Sequence, residues 1–338
     1  MTDQIGANPI VLQRADPCVL RHDGQYYFTG SYPLYDRIVL RRAERLEDLQ
    51  AAPEVTIWRR HESGPQSHLI WAPEIHRVDG RWYVYFAAAP DDAVTVDVPG
   101  SDDTFNHRVF VLECADADPL TGTWVERGQV DTGWESFALD ATSFVRDGVQ
   151  YLVWAQQDAE IKGHSNLYIA SMANPWTLAT PAVLLSRPEF DWETQGFWVN
   201  EGPSVLQRDG RLYLTYSGSA TGIDYAMGLL TADADADLLD PASWAKSPEP
   251  VFVSDPAAGQ YGPGHNSFTE SPDGGVVLVY HSRTYTEITG DPLYDPNRHA
   301  CAQVLPFDAD GDPVWGTPLA NTRPTPTSTE VLDPCGRF

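Results

Sequence analysis

One phrase recurs five times along the 338 residues: a small residue or proline, an apolar stretch, an Asp-Gly turn, then a second stretch rich in apolar and aromatic side chains. The copies are ADPCVLRHDGQYYFTGS, WAPEIHRVDGRWYVYFAAA, LDATSFVRDGVQYLVWAQQ, NEGPSVLQRDGRLYLTYSGS and GHNSFTESPDGGVVLVYHSR. Their turn aspartates (Asp23, Asp79, Asp147, Asp209 and Asp273) stand 56, 68, 62 and 64 residues apart, a spacing that marks an internal repeat. Asp-Gly accepts positive φ at low steric cost, so each copy reads as a β-hairpin.

A third apolar segment follows each hairpin: Ile38-Val39-Leu40, Val109-Phe110-Val111-Leu112, Leu167-Tyr168-Ile169, Met227-Gly228-Leu229-Leu230 and Ala302-Gln303-Val304-Leu305. Fourth segments are marked by tryptophan at Trp58, Trp124, Trp244 and Trp315. Four strands repeated about every 60 residues is the pattern of propeller blades, and five copies predict an all-β, five-bladed β-propeller spanning residues 1–338 as a single domain. One such blade cannot bury both faces, so neighbours must stack around an axis. Helical periodicity is weak, with one short turn at most near Arg42 to Gln50. The Pro/Thr-rich stretch from Thr322 to Thr329 is expected to wrap the last blade or the ring seam.

Composition narrows the partners. With 42% hydrophobic, 11% aromatic and 21% charged residues the chain is globular. A net charge of −26, with Lys162 and Lys246 the only lysines, argues against nucleic acid or an anionic membrane. No apolar run approaches the roughly 20 residues that span a bilayer. The opening MTDQIGANPIVLQRADP has neither a basic stretch nor an apolar core, which predicts a cytoplasmic protein. Cys18, Cys114, Cys301 and Cys335 lack zinc-ligand spacing and read as reduced thiols.

The turns are uniform, but the head of each copy varies chemically. Asp16, Trp71, Asp140, Glu201 and His265 stand there. Innermost strands of a propeller line the axial channel, so these residues converge on one mouth. Asp16 and Asp140 lie seven residues before their turn aspartates; Trp71, Glu201 and His265 lie eight before theirs. In a regular strand that one-residue offset would reverse the side chain, so phase supports clustering but not geometry. Three acids around one mouth suit glycoside hydrolysis, which pairs a carboxylate with a protonated carboxyl. Each acid has a blander reading alone: Asp16 as a turn residue before proline, Glu201 as a loop acid. Asp140, set among Phe137-Ala138-Leu139 and Ala141, is costly to bury without a role.

Taken together, Ala15-Asp16-Pro17, Trp71-Ala72-Pro73-Glu74, Leu139-Asp140-Ala141, Asn200-Glu201-Gly202-Pro203 and Gly264-His265-Asn266 resemble glycoside hydrolase family 43, in order and over nearly the whole chain. GQYGPGHNSFT and GDPLYDPNRH are similar to its exo-acting α-L-arabinofuranosidases. The resemblance implies an inverting enzyme that releases terminal, α-1,5-linked arabinofuranose from arabinan or arabino-oligosaccharides. It assigns Asp16 as general base, Glu201 as general acid and Asp140 as modulator of Glu201. It implies no cofactor for the chemistry, but a calcium or other ion in the axial channel beside His265. Arg298 is expected near Asp140 or a sugar hydroxyl, with a surface loop arginine as its plainer reading.

Trp71 is expected as a sugar platform, with blade packing as the competing reading. Trp192, Phe197 and Trp198 precede Glu201 and are expected to wall the pocket, as is the polar insertion from Pro90 to His107. β-Xylosides and internal arabinan bonds are alternative targets on the same scaffold. A non-catalytic sugar-binding propeller is a further alternative, though it has no need of all three acids.

Overall fold

The computed structural model describes residues 5–95, 103–326 and 330–332. Five antiparallel sheets follow one another along the chain, each starting at the axis and working outward. Their inner strands are Ala15–His22, His68–Val78, Ala138–Arg146, Asn200–Arg208 and Tyr261–Glu270. Each pairs with the strand after its Asp-Gly turn: Gln25–Ser31, Arg81–Ala89, Val149–Gln156, Arg211–Gly218 and Val276–Arg283. In the first four turns both Asp and Gly take positive φ, the geometry that matches strand twist in a two-residue hairpin.

Five apolar clusters hold the ring together, one largely at each junction between neighbouring blades. Ile38 and Leu40 of the first blade pack with Ile75, Trp82 and Val84 of the second. Val19 and Phe28 pack with Val277 and Val279 across the junction of first and fifth blades. Burial of such β-branched and aromatic faces is what a lone sheet lacks, so closure and stability come together.

The fourth strands are Val55–Arg59, Trp124–Gln129 and Ala245–Lys246 in blades one, two and four. In blade three, Thr177–Leu178 and Val183–Ser186 share that edge. Blade five departs from expectation. Its sheet has three strands, ending at His299–Val304, and Trp315 lies in no strand. The outer edge is taken instead by the start of the chain: Val11 bridges Ala300, Ile10 N–H donates to the Ala300 carbonyl at 2.8 Å, and the Asn8 side chain bonds both polar groups of Ala302. Thr322 and Arg323 in turn donate backbone N–H groups to the Asn8 carbonyl at 2.8 Å, so this stretch does cross the seam. Thr327 to Thr329 lie outside the described residues. The expected short helical turn is a 3-10 turn at Leu46–Asp48.

Candidate active site

Every inner strand carries the same β-bulge, and the bulges build the site. Two residues of the inner strand oppose one of its partner at Asp16-Pro17, Ala72-Pro73, Asp140-Ala141, Gly202-Pro203 and His265-Asn266. The first residue of each bulge has positive φ: 55° at Asp16, 44° at Ala72, 54° at Asp140, 54° at Gly202 and 43° at His265. Counted from the bulge, the one-residue offset disappears in the first four blades and persists only at His265, eight residues before Asp273. Asp16, Ala72, Asp140 and Gly202 all stand seven residues before their turn aspartates, while Trp71 and Glu201 immediately precede the bulge. The kink re-aims side chains that a regular strand would send to opposite faces.

A second regularity pins these kinks. The N–H of Ala72 donates to the Ser31 hydroxyl (2.8 Å), that of His265 to the Ser217 hydroxyl (2.8 Å), and that of Asp16 to His281 Nδ1 (3.1 Å). Each acceptor comes from the second strand of the preceding blade. Blade three has Ala155 at that register, opposite Leu139, and offers no such acceptor. There Asp140 itself takes the place, accepting from Gly202 N–H at 3.0 Å.

Asp16, Asp140 and Glu201 all face one cavity of about 200 Å³. Its wall is mostly apolar, from Trp71, Phe105, Phe137, Leu139, Phe197 and Leu293, and His265 and Arg298 complete its polar floor. His265 Nδ1 lies 3.3 Å from Asp16 Oδ1 and 3.8 Å from Asp140 Oδ2, so it stands between the two acids. Arg298 reaches Asp16 Oδ1 at 3.5 Å and donates to the Tyr35 hydroxyl at 2.9 Å. Of the two places expected for it, its direct acid contact is with Asp16 and not Asp140, while its position in the cavity lining is one where a sugar hydroxyl could meet it. Ser31 donates to the other Asp16 oxygen at 2.5 Å.

These surroundings push the three acids apart. Burial alone would raise the Asp16 pKa, but the charges of His265 and Arg298 outweigh it, holding it well below the usual carboxylate range. Glu201 is half-buried, and loss of hydration followed by the nearby Asp16 charge raises it to about 7 against the pull of Tyr225 and Arg298. Asp140 is raised well above the ordinary value by burial, then by Glu201 and Asp16. Below about pH 7 the site therefore holds an ionised Asp16 facing a Glu201 that retains its proton.

The expected sugar platforms fare differently. Trp71 lines the cavity, but one ring face is covered by His107, stacked at 3.8 Å, with Phe105 edge-on at 5.3 Å. Burial holds His107 neutral, with its pKa lowered to about 3. Trp198 is not in the cavity wall. Phe197 and Val199 line it, and because side chains alternate along extended chain, Trp198 turns away to lie under the Lys162 ammonium at 3.8 Å. Trp192 packs on Tyr216 behind the loop. Phe105 brings the Pro90 to His107 insertion to the cavity, while residues 96–102 of it lie outside the described residues.

Sequence reasoning missed Ser31, Tyr35, Tyr225 and His281. All four come from second strands or loops, where no repeated head marks them. Ser31 and His281 were legible as the strand partners opposite Ala15 and Gly264, had the bulges been foreseen.

A calcium site finds little support in these side chains. His265 offers one imidazole, whereas calcium takes six to eight oxygens. Among the described residues no group of three His, Cys, Asp or Glu side chains is placed to hold a metal. Among the described residues the side chains alone do not form a calcium cage.

Residues 7–313 match the family model for glycosyl hydrolases family 43. Alpha-L-arabinofuranosidase 43 of Humicola insolens is 52% identical over 96% of this chain and 66% of its own length. The extracellular exo-alpha-(1->5)-L-arabinofuranosidase of Streptomyces avermitilis is 52% identical over 93% of this chain and 64% of its own. Its namesake in Streptomyces chartreusis is 53% identical over 84% of each. The chain thus spans about two thirds of the length of the first two. The crystal structure of alpha-L-arabinofuranosidase from Lactobacillus brevis superposes with a TM-score of 0.93 at 52% identity, covering 96% of this chain and all of that one. The names of the Streptomyces relatives overturn the expected cytoplasmic location, since both are extracellular proteins. The first residues of this sequence were a poor guide to compartment. A repeat of five bulged strands, three acids in one cavity and a match over residues 7–313 lead to one statement: the chain belongs to glycosyl hydrolases family 43.

Proposed function

We propose that this protein is an inverting α-L-arabinofuranosidase that releases terminal arabinofuranose, α-1,5-linked, from arabinan or arabino-oligosaccharides. The observation that carries the reading is the split among the acids of the cavity. Asp16 is held ionised by Arg298 and His265 while Glu201 keeps its proton to about pH 7, in one cavity. An ionised base and a protonated acid are what single-displacement hydrolysis requires. Asp16 draws a proton from water as its oxygen attacks the anomeric carbon. The glycosidic bond breaks toward the leaving sugar, whose oxygen takes the Glu201 proton. Asp140 keeps Glu201 in place through Gly202 and, as a neighbouring acid, disfavours its ionisation.

Cavity size supports exo action. About 200 Å³ falls below the roughly 300–1,000 Å³ of drug-sized sites and suits one sugar ring better than a threaded polymer. The relatives named as arabinofuranosidases support the choice of sugar.

Side-by-side assays with p-nitrophenyl α-L-arabinofuranoside, p-nitrophenyl β-D-xyloside and debranched arabinan test the reading. The arabinofuranoside is expected to turn over and arabinan to yield monosaccharide only, released as the β-anomer by proton NMR. Turnover of the xyloside alone, or release of internal oligosaccharides, would sink it.

A further inference from the structure

We propose that Tyr225 is a positioning residue that decides which oxygen of Glu201 carries the catalytic proton, with His281 bracing it from the Asp16 side. The inference rests on Glu201 being the general acid. Tyr225 is buried, and its hydroxyl donates to Glu201 Oε1 at 2.8 Å. Burial, then the charges of Glu201, Asp140 and Asp16, push the phenol far above its ordinary pKa, so it remains a donor throughout the working range. A neutral carboxyl has one hydroxyl oxygen and one carbonyl oxygen. With Oε1 accepting from Tyr225, Oε2 is left as the hydroxyl oxygen. A proton on Oε1 would face the phenol proton or force it to turn away from its partner.

The ring is held as firmly as its hydroxyl. It stacks on His281 with centroids 5.5 Å apart and planes 7° from parallel. His281 is buried, its pKa lowered by burial to about 3, so it stays neutral. Its Nδ1 accepts from the Asp16 backbone N–H at 3.1 Å. Gly264, the strand partner of His281, makes room for the ring: a Cβ there would stand 2.4 Å from Tyr225. The backbone of the base, an imidazole, a phenol and the acid thus form one continuous contact path.

The test separates substrates that need an acid from those that do not. An arabino-oligosaccharide leaves as a poor alkoxide and needs protonation, whereas 2,4-dinitrophenolate leaves unaided. Tyr225→Phe is expected to lower kcat on the oligosaccharide roughly ten-fold while changing the dinitrophenyl arabinofuranoside by less than about two-fold. Tyr225 donates to the ionised carboxylate, so its loss raises the Glu201 pKa, and the alkaline limb of the oligosaccharide profile moves to higher pH. 3,5-Difluorotyrosine at position 225, a stronger donor of nearly the same shape, is expected to move that limb to lower pH and covers the case in which the phenylalanine variant fails to fold. Equal losses on both substrates, or an alkaline limb unmoved in both variants, would overturn the inference. Glu201→Gln distinguishes the levels. If it also loses both substrates equally, the acid assignment falls and this inference with it. If it spares only the dinitrophenyl substrate while Tyr225→Phe does not, the role of Tyr225 alone is wrong.

Discussion

The carboxylate of Asp140 caps the backbone N–H of Gly202 at 3.0 Å, so the acid proposed as modulator holds the peptide that follows the proposed proton donor. At Asp16, Ala72 and His265 a hydroxyl or imidazole from the preceding blade does this. Asp140→Asn retains a carbonyl oxygen able to accept from Gly202; Asp140→Ala removes it. Both variants are expected to lose activity, the alanine variant by about 100-fold and the asparagine variant by clearly less. Steady-state kcat values for the pair check this, and equal losses would make charge, not capping, the part that matters.

Glu201 ties activity to stability through its raised pKa. Folded, it titrates near 7 against an ordinary value of 4.5, so the folded state binds the extra proton between those limits. Stability contributed by this proton is present below pH 4.5 and is lost as pH rises through 7. Glu201→Gln removes the penalty and should be the more heat-resistant protein at pH 8, by about 2 kcal/mol after allowing for partial solvent contact, with the difference vanishing near pH 4. Thermal unfolding at both pH values measures it. In the unmodified enzyme kcat/KM should fall on the alkaline side with an apparent pKa of about 7.

Arg298 sets the other limb. Its guanidinium is one of the charges that keep Asp16 ionised, so Arg298→Gln raises the Asp16 pKa. The acid limb of kcat/KM should move to higher pH by one unit or more, about 1.4 kcal/mol per unit, while the alkaline limb moves far less. A pH profile of the variant decides it.

Gly202 has two reasons to be glycine. Its φ is 54°, and an added Cβ would lie 2.9 Å from the His265 ring. Gly202→Ala should cost at least about 1–2 kcal/mol from the backbone alone and displace His265 from between the acids. Urea unfolding gives the first quantity, and kcat, expected to fall, reports the second.

A remote ion pair supports the loop that carries Phe197. Glu193 is fully buried, and both its oxygens meet Lys246 (2.8 and 3.0 Å); it also accepts from Tyr216 and from Asn200, next to Glu201. Lys246→Met leaves that carboxylate without its counter-charge and should destabilise the fold by about 3–5 kcal/mol. A melting temperature within a degree of the parent would contradict this.

Much of the architecture was legible because a propeller repeats its turn chemistry. Asp23-Gly24 and its counterparts announced the hairpins, and the chemically varied heads announced the acids. Legibility failed where one residue's conformation redirects its neighbours. No residue type signals that Asp16 and Asp140 adopt positive φ, so nothing in the sequence shows that Arg298 meets Asp16. Trp192, Phe197 and Trp198 share one loop and one expectation, but alternation gives the cavity Phe197 and turns Trp198 away. Trp315 was counted as a strand because a blade closed by residues from the other end of the chain looks incomplete in sequence.

That borrowed edge has a consequence for biogenesis. Val11 meets Ala300 five residues before Asp16 and two after Arg298, so docking the first residues onto the last sheet also delivers the arginine to its carboxylate. Since synthesis runs from residue 1 onward, Asp16 lacks this partner until Arg298 has been made. The charge that holds Asp16 ionised therefore arrives late, as residues 8–11 dock on the sheet that ends at Val304.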